Sequence, residues 1–302
     1  MCIGFSLATF VACQYWCSVM FNVRIVGTAN AVAAGWGNAG AGFTHIIMPY
    51  LYDGFLNLHA GVVAWRCCFL VCGWAQVLIG LVILRWGSDL PDGNYAELRR
   101  AGAMAKPKGH RELWAAVRNY RTWLLALLYG YCFGVELTVD NNIAPYLVDQ
   151  FGQSLSTAGL LAAVFGLSNI FARALGGLLS DVVAKRFGMR GRLWALWVVQ
   201  SLGGVCAVLM FTAQYSLGWT MGIVALWSLF VPMACGASFG VAPFVTRRGL
   251  GAAYGFIGSG GNVGAAITQA LFFTSTSMTL AEGFRWMGVM TLAVTTLLAF
   301  VG

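Results

Sequence analysis

Charge is what this sequence has least of. Of its 302 residues only 9% are Asp, Glu, Lys or Arg, against about a quarter in ordinary soluble domains. A water-soluble globule of this length could not cover itself with so few ionised groups. Histidine is also scarce: His45, His59 and His110 are scattered, with neither metal-ligand spacing nor a nucleophile and base pair beside them. No metal, no cofactor and no enzyme activity are therefore expected. The nine cysteines include no CxxC pair; Cys13 with Cys17, and Cys68 with Cys72, stand four apart, and the cysteines as a set read as small buried residues. No basic stretch precedes the apolar N-terminus, which argues against a cleaved signal peptide.

In place of charge there is hydrocarbon. The chain is 59% hydrophobic and 14% aromatic, with a mean hydropathy of +0.76. Apolar runs of about 20 residues recur along its length, and only helices or closed barrels satisfy the backbone in a bilayer. The runs are long and continuous, so the expected fold class is an all-α membrane protein, a helical bundle spanning the lipid bilayer. Nine spans are read at about 2–21, 27–52, 66–85, 122–143, 155–179, 193–213, 218–240, 250–274 and 284–302. The polar stretch 86–121, with Pro91, Gly93, Pro107 and Gly109, separates a first bundle (1–85) from a second (122–302).

Basic residues orient the spans, because Lys and Arg near span ends stay cytoplasmic. Arg85, Arg99, Arg100, Lys106, Lys108, Arg111, Arg118 and Arg121 crowd the linker, and Arg24, Lys185, Arg186, Arg190, Arg192, Arg247 and Arg248 fall in alternate loops on the same side. Arg66 and Arg285 fall opposite, and Arg173 lies within a span. The linker and C-terminus are expected in the cytoplasm. The net charge of +8 reports this asymmetry, and no soluble basic domain exists to bind nucleic acid.

Glycines cluster around two asparagines. AAGWGNAGAGFTH (33–45) and GSGGNVGAAITQ (258–269) align with Asn38 on Asn262, Gly37 on Gly261 and Gly40 on Gly264. The copies lie on the second and eighth spans, six apart, as in transporters whose halves are related by an axis along the membrane normal. On that reading the fourth to sixth spans lack partners, so three further helices are expected before Met1, making twelve. Small residues at this spacing also serve as helix packing faces; the recurring amide favours a substrate-facing role, since an amide in hydrocarbon needs a partner. His45 aligns with Gln269 and reads as a polar pore-lining or packing residue.

One charge lies deep. Arg173 precedes Asp181, at the cytoplasmic end of its span, by roughly 12 Å of helix, which places it near mid-membrane. There a guanidinium costs about 2.5–3.5 kcal/mol on insertion scales, so it faces a partner or a cavity. Two uses compete: an ion pair with Glu136 on the fourth span, or recognition of a small planar oxyanion by the five-donor fork. Tyr129 and Phe133, four apart on that span, either pack or sandwich a flat ligand. Glu136 is a candidate proton carrier, and Asp140 is expected at the outer surface. The loop from Gly176 to Arg192 reads as a tight basic turn in which Asp181 among Lys185, Arg186, Arg190 and Arg192 could latch helix ends and gate the pathway.

These residues resemble a known family. GTANAVAAGWGNAGAGFTH and YGFIGSGGNVGAAITQALFF are similar to the paired nitrate signatures of the nitrate/nitrite porters within the major facilitator superfamily, and most of all those of algal and plant high-affinity nitrate transporters. LLYGYCFGVELTVDN, NIFARALGGLLSD and FGMRGRLW extend the likeness over nearly the whole chain. It implies two six-helix bundles, alternating access, and nitrate or nitrite in a central cavity, with proton-coupled uptake for nitrate assimilation at the plasma membrane and, in many members, a small single-span partner protein. Arg173 matches the C-terminal of two anion-holding arginines; Tyr129 and Phe133 match aromatic positions beside the anion; Gly37, Asn38, Gly40, Gly261, Asn262 and Gly264 match signature positions. The family's other arginine belongs to its second helix, and this chain begins in what resembles the fourth. Transport of another small anion, or a non-transporting membrane subunit or sensor, are the alternatives.

Overall fold

A computed structural model describes residues 2–57, 60–102, 109–245, 249–274 and 278–301. His59, Lys106, Pro107, Lys108, Arg247 and Arg248 lie outside the described residues. Within them the chain is helical: α1 (Cys2–Met20), α2 (Val26–Leu56), α3 (Gly61–Trp86), α4 (Tyr95–Arg100), α5 (Gly109–Arg118), α6 (Tyr120–Gly130), α7 (Phe133–Phe151), α8 (Leu155–Leu167), α9 (Asn169–Ala213), α10 (Leu217–Val241), α11 (Leu250–Phe272) and α12 (Leu280–Thr295). Among the described residues, five stretches are long and apolar enough to cross a membrane: 61–86, 120–151, 155–213, 217–244 and 280–300. Glycine-rich α2 and α11 fall outside that set.

Polar caps start several of these helices. The Asn119 side chain accepts from the Arg121 amide at the head of α6, and Ser154 from Thr157 at the head of α8. Thr279 and Glu282 form a reciprocal capping box at the head of α12, satisfying backbone donors that have no carbonyl of their own. Gly152, at φ 62°, closes α7, in a conformation that a Cβ would strain.

Two expected spans are interrupted. The run 122–143 divides at Tyr131–Cys132 into α6 and α7, and α7 continues to Phe151. The run 155–179 divides at Ser168, whose hydroxyl lies 2.7 and 2.6 Å from the carbonyls of Phe165 and Ser228 and shares its one proton between them, which anchors the break to α10. Conversely, the turn expected between Gly176 and Arg192 shrinks to one residue. Gly188 (φ 59°, ψ −142°) is the only non-helical position in α9, and the chain folds back there, since Arg192 reaches Asp181 at 2.6 Å. A straight helix would hold them about 16 Å apart.

Helix α2 is the spine that positions the site. Gly27, Ala31, Ala34, Gly35, Ala39 and Gly42 form its buried face and lie against α8, α9 and α10. A Cβ on Gly42 would sit 2.7 Å from Leu167 Cγ, and one on Gly27 2.8 Å from Asp181 Oδ1. The small-residue reading therefore holds along this face, where absent side chains let two backbones approach. Elsewhere the exterior is hydrocarbon: Phe69, Trp74, Leu78 and Leu84 of α3 are exposed, as lipid-facing residues are.

Candidate functional site

The deep charge has a partner. Arg173 Nη2 lies 2.8 Å from Glu136 Oε2, and both side chains are 1% exposed. Of the two uses open to Arg173, the structure displays the ion pair. The break between α6 and α7 places Glu136 in the first turn of α7, facing α9. Glu136 accepts three donors from three other helices: Arg173, Asn38 Nδ2 of α2 at 3.1 Å, and the Cys235 thiol of α10 at 3.2 Å. A carboxylate in hydrocarbon needs such an arrangement, since an unpaired buried charge costs several kcal/mol, about 3–5 when a partner is removed.

Only one of the three guanidinium nitrogens is used. Among the described residues, Arg173 Nε and Nη1 are buried with no hydrogen-bond partner, as is the Tyr129 hydroxyl. Natively folded proteins rarely leave buried donors orphaned, and the two on Arg173 mark somewhere an acceptor belongs. Aromatic rings wall it. Tyr129 and Phe133 stack with centroids 5.2 Å apart, Phe10 of α1 stacks on Phe133 at 5.7 Å, and Phe239 meets Phe10 and Tyr129 edge-on. Arg173 Cζ lies 5.5 Å from the Phe133 ring centre, a cation–π contact. Packing and ligand-facing geometry coexist in this stack.

The glycine signatures divide. Gly261 abuts the Tyr129 and Phe133 rings, and Gly264 abuts the Gly130 backbone, so both are packing contacts between α11 and the α6–α7 break. Gly37 and Gly40 have open space where a Cβ would stand. Asn38 joins the ion pair, whereas Asn262 is exposed and turns back to the Gly258 carbonyl at 3.4 Å. The duplicated amides therefore do not play the same role in this conformation.

At the linker end, Asp181 is a hub. It accepts from Arg192 at 2.6 Å, and from the Thr28 amide and hydroxyl at 2.7 Å each, which puts a carboxylate on the N-terminal turn of α2, where the helix dipole favours it. Arg192 also donates to Ser180 and lies 4.9 Å from the Phe244 ring. Arg186, over its neighbour Phe187, and Arg190, beside Trp194, are exposed and apart from this hub.

Sequence reasoning missed Cys235, Phe10 and Phe239. Cys235 was legible as a small buried residue but not as a donor, because its partner is distant in the chain. Asp140 departs from expectation: it is only partly exposed, and its Oδ1 is buried without a partner. The helix runs on for about three turns beyond it to Phe151.

Comparison with known proteins supplies the lineage. The model of the Major Facilitator Superfamily matches residues 1–269. The chain belongs to this superfamily. Among curated relatives, "Nitrate transporter 2.1" of Chlamydomonas reinhardtii is 50% identical over 99% of this chain and 56% of its own length. "High affinity nitrate transporter 2.5" of Arabidopsis thaliana is 48% identical over 96% of this chain and 58% of its own. The chain thus spans rather more than half the length of these relatives. A crystal structure of a bacterial homologue of the iron transporter ferroportin, in an outward-facing state, shares the fold: its TM-score is 0.51, with 18% identity, covering 93% of this chain and 64% of that one. Membership makes this major facilitator chain part of a multi-pass membrane protein.

Proposed function

We propose that the full-length protein moves nitrate or nitrite across the plasma membrane by alternating access, coupled to protons, for nitrate assimilation, and is not an enzyme. The observation that carries this reading is Arg173, 1% exposed, with two guanidinium nitrogens unpartnered and the third on Glu136. A trigonal oxyanion matches the planar fork in shape and charge, and the names of the relatives agree with nitrate as that anion. Asn38, Tyr129 and Phe133 complete the anion's surroundings. Gly37, Gly40 and Asn262 bound the pathway from the two signature helices, and Gly261 and Gly264 set how closely α11 packs on the α6–α7 break behind the aromatic rings. Asp181 with Arg192 latches the pathway's cytoplasmic end while Arg186 and Arg190 flank the loop.

Coupling follows from the ion pair. While Glu136 is ionised it competes for Arg173. A proton on Glu136 removes that competition, so anion and proton enter together and the buried site stays neutral. The groups 1–85 and 122–302 then rock about α2 and its contacts, with the linker and C-terminus in the cytoplasm and a small single-span protein as a further partner.

The test is thermal stabilisation of the purified full-length protein by nitrate against chloride, formate and phosphate at equal concentration. Nitrate-selective stabilisation that vanishes in Arg173→Ala supports the reading. Equal stabilisation by chloride points to another small anion, and binding without uptake into proteoliposomes points to a sensor.

A further inference from the structure

Two carboxylates stand one turn apart on α7, and the mechanism above uses only the inner one. Glu136 is 1% exposed and enclosed by Arg173, Asn38 and Cys235, so it has almost no direct contact with solvent. Asp140 is the next turn of the same helix, farther from the linker. Side chains at this spacing share a face, with Cβ atoms about 5–6 Å apart. Its Oδ1 is buried and unpartnered, yet the residue is partly exposed. One face of Asp140 is thus turned inward while part of the residue stays accessible.

Its surroundings are polar and unfinished. Glu136 and Arg173 are the charges that act on it, and His45 of α2 faces its backbone carbonyl. Asn169 lies one turn from Arg173 toward the same end, 0% exposed, with both amide atoms unpartnered. Helices α8, α10 and α11 contribute no charged side chain or histidine. On α12, Glu282 caps its own helix and Arg285 lies over Phe211 and Trp286. The buried set is thus one guanidinium and two carboxylates, and it is neutral when the carboxylates hold one proton between them. Like charges at this spacing disfavour ionising both.

We propose that Asp140 is the entry carboxylate of this transporter and passes the coupling proton to Glu136. This rests on the anion reading of Arg173 given above. In the step, the Asp140 carboxylic O–H breaks and its proton moves, directly or through one water, to the Glu136 carboxylate. Glu136 becomes the neutral acid and releases Arg173 to the anion. Asp140, left as carboxylate, takes its next proton from water on the side away from the linker. The orphaned Oδ1 of Asp140 is a hydrogen-bonding site for that water.

Proteoliposomes of the full-length protein separate the two claims by comparing uptake driven by an inward pH gradient with nitrate counterflow at equal pH. For Asp140→Asn we expect driven uptake to fall about 100-fold, the lower end of what a positioned proton-transfer group contributes, while counterflow persists, and Asp140→Glu to restore driven uptake. Driven uptake in Asp140→Asn with the wild-type pH profile would overturn the proposal. So would loss of both activities without rescue by Asp140→Glu, which would make Asp140 structural. Absence of nitrate counterflow in the unaltered protein would instead sink the anion reading itself.

Discussion

Glu136→Gln separates a structural ion pair from one that an anion replaces. The substitution keeps an oxygen for Asn38 Nδ2, at 3.1 Å in the parent, and removes the counter-charge 2.8 Å from Arg173 Nη2. Leaving a buried charge unpaired costs about 3–5 kcal/mol. At roughly 2 °C per kcal/mol for a chain of this size or larger, the ligand-free melting temperature should fall by about 6–10 °C. Nitrate at 100 times its dissociation constant then returns about 2.7 kcal/mol, or about 5 °C. Because the anion no longer displaces a carboxylate, nitrate should also bind at least about tenfold more tightly at neutral pH, a gain of ~1.4 kcal/mol, and its affinity should stop rising as pH falls. The assay is thermal unfolding of purified full-length protein across a nitrate series at two pH values. If nitrate stabilises Glu136→Gln no more than the parent, the carboxylate and the anion do not compete and the reasoning fails.

Three further outcomes follow from the same geometry. The Tyr129 hydroxyl is buried without a partner, so Tyr129→Phe should leave the melting temperature unchanged or raise it by the relief of an orphan worth about 1–3 kcal/mol, while weakening nitrate binding; unchanged affinity would remove Tyr129 from the anion's ligands. Gly35→Ala places a Cβ 3.3 Å from the Arg173 Cβ and closer still to the Asn169 carbonyl, and should destabilise by about 1–3 kcal/mol, whereas Gly37→Ala meets nothing within 4 Å and should be silent in the same unfolding assay. Asp181→Asn removes the charge that holds Arg192 and the Thr28 amide; hydrogen exchange at the α2 N-terminus should accelerate, and unaltered protection there would refute the latch.

Hydropathy alone made the fold class legible, because a bilayer demands long apolar helices and few charges. Part of the buried face of α2 was legible too, since Gly35 and Gly42 within the signature are small residues of the kind that serve as a helix packing face. Arg173 and Glu136 stood out as charges within apolar runs and their ion pair was one of two uses left open, but choosing between them depends on how distant helices meet, which no local pattern encodes. The breaks at Tyr131–Cys132 and Ser168 were hidden for a related reason. Neither carries a proline, and the Ser168 interruption is held by a hydroxyl bonded to α10. Asp140 lies near the edge of an apolar run and so reads as a surface residue, while α7 continues through the polar residues that follow. The signature glycines were visible as a group, yet only packing distinguishes Gly261, against two rings, from Gly37, against none.

Proton uptake on anion binding tests the central claim most directly. In weakly buffered detergent solution at neutral pH, adding nitrate to the full-length protein should draw about one proton per bound anion, by linkage between protonation and binding, and the uptake should vanish in Glu136→Gln although nitrate still binds. Nitrate binding by the unaltered protein with no change in bulk pH would contradict the account, since Arg173 would then hold the anion without releasing Glu136.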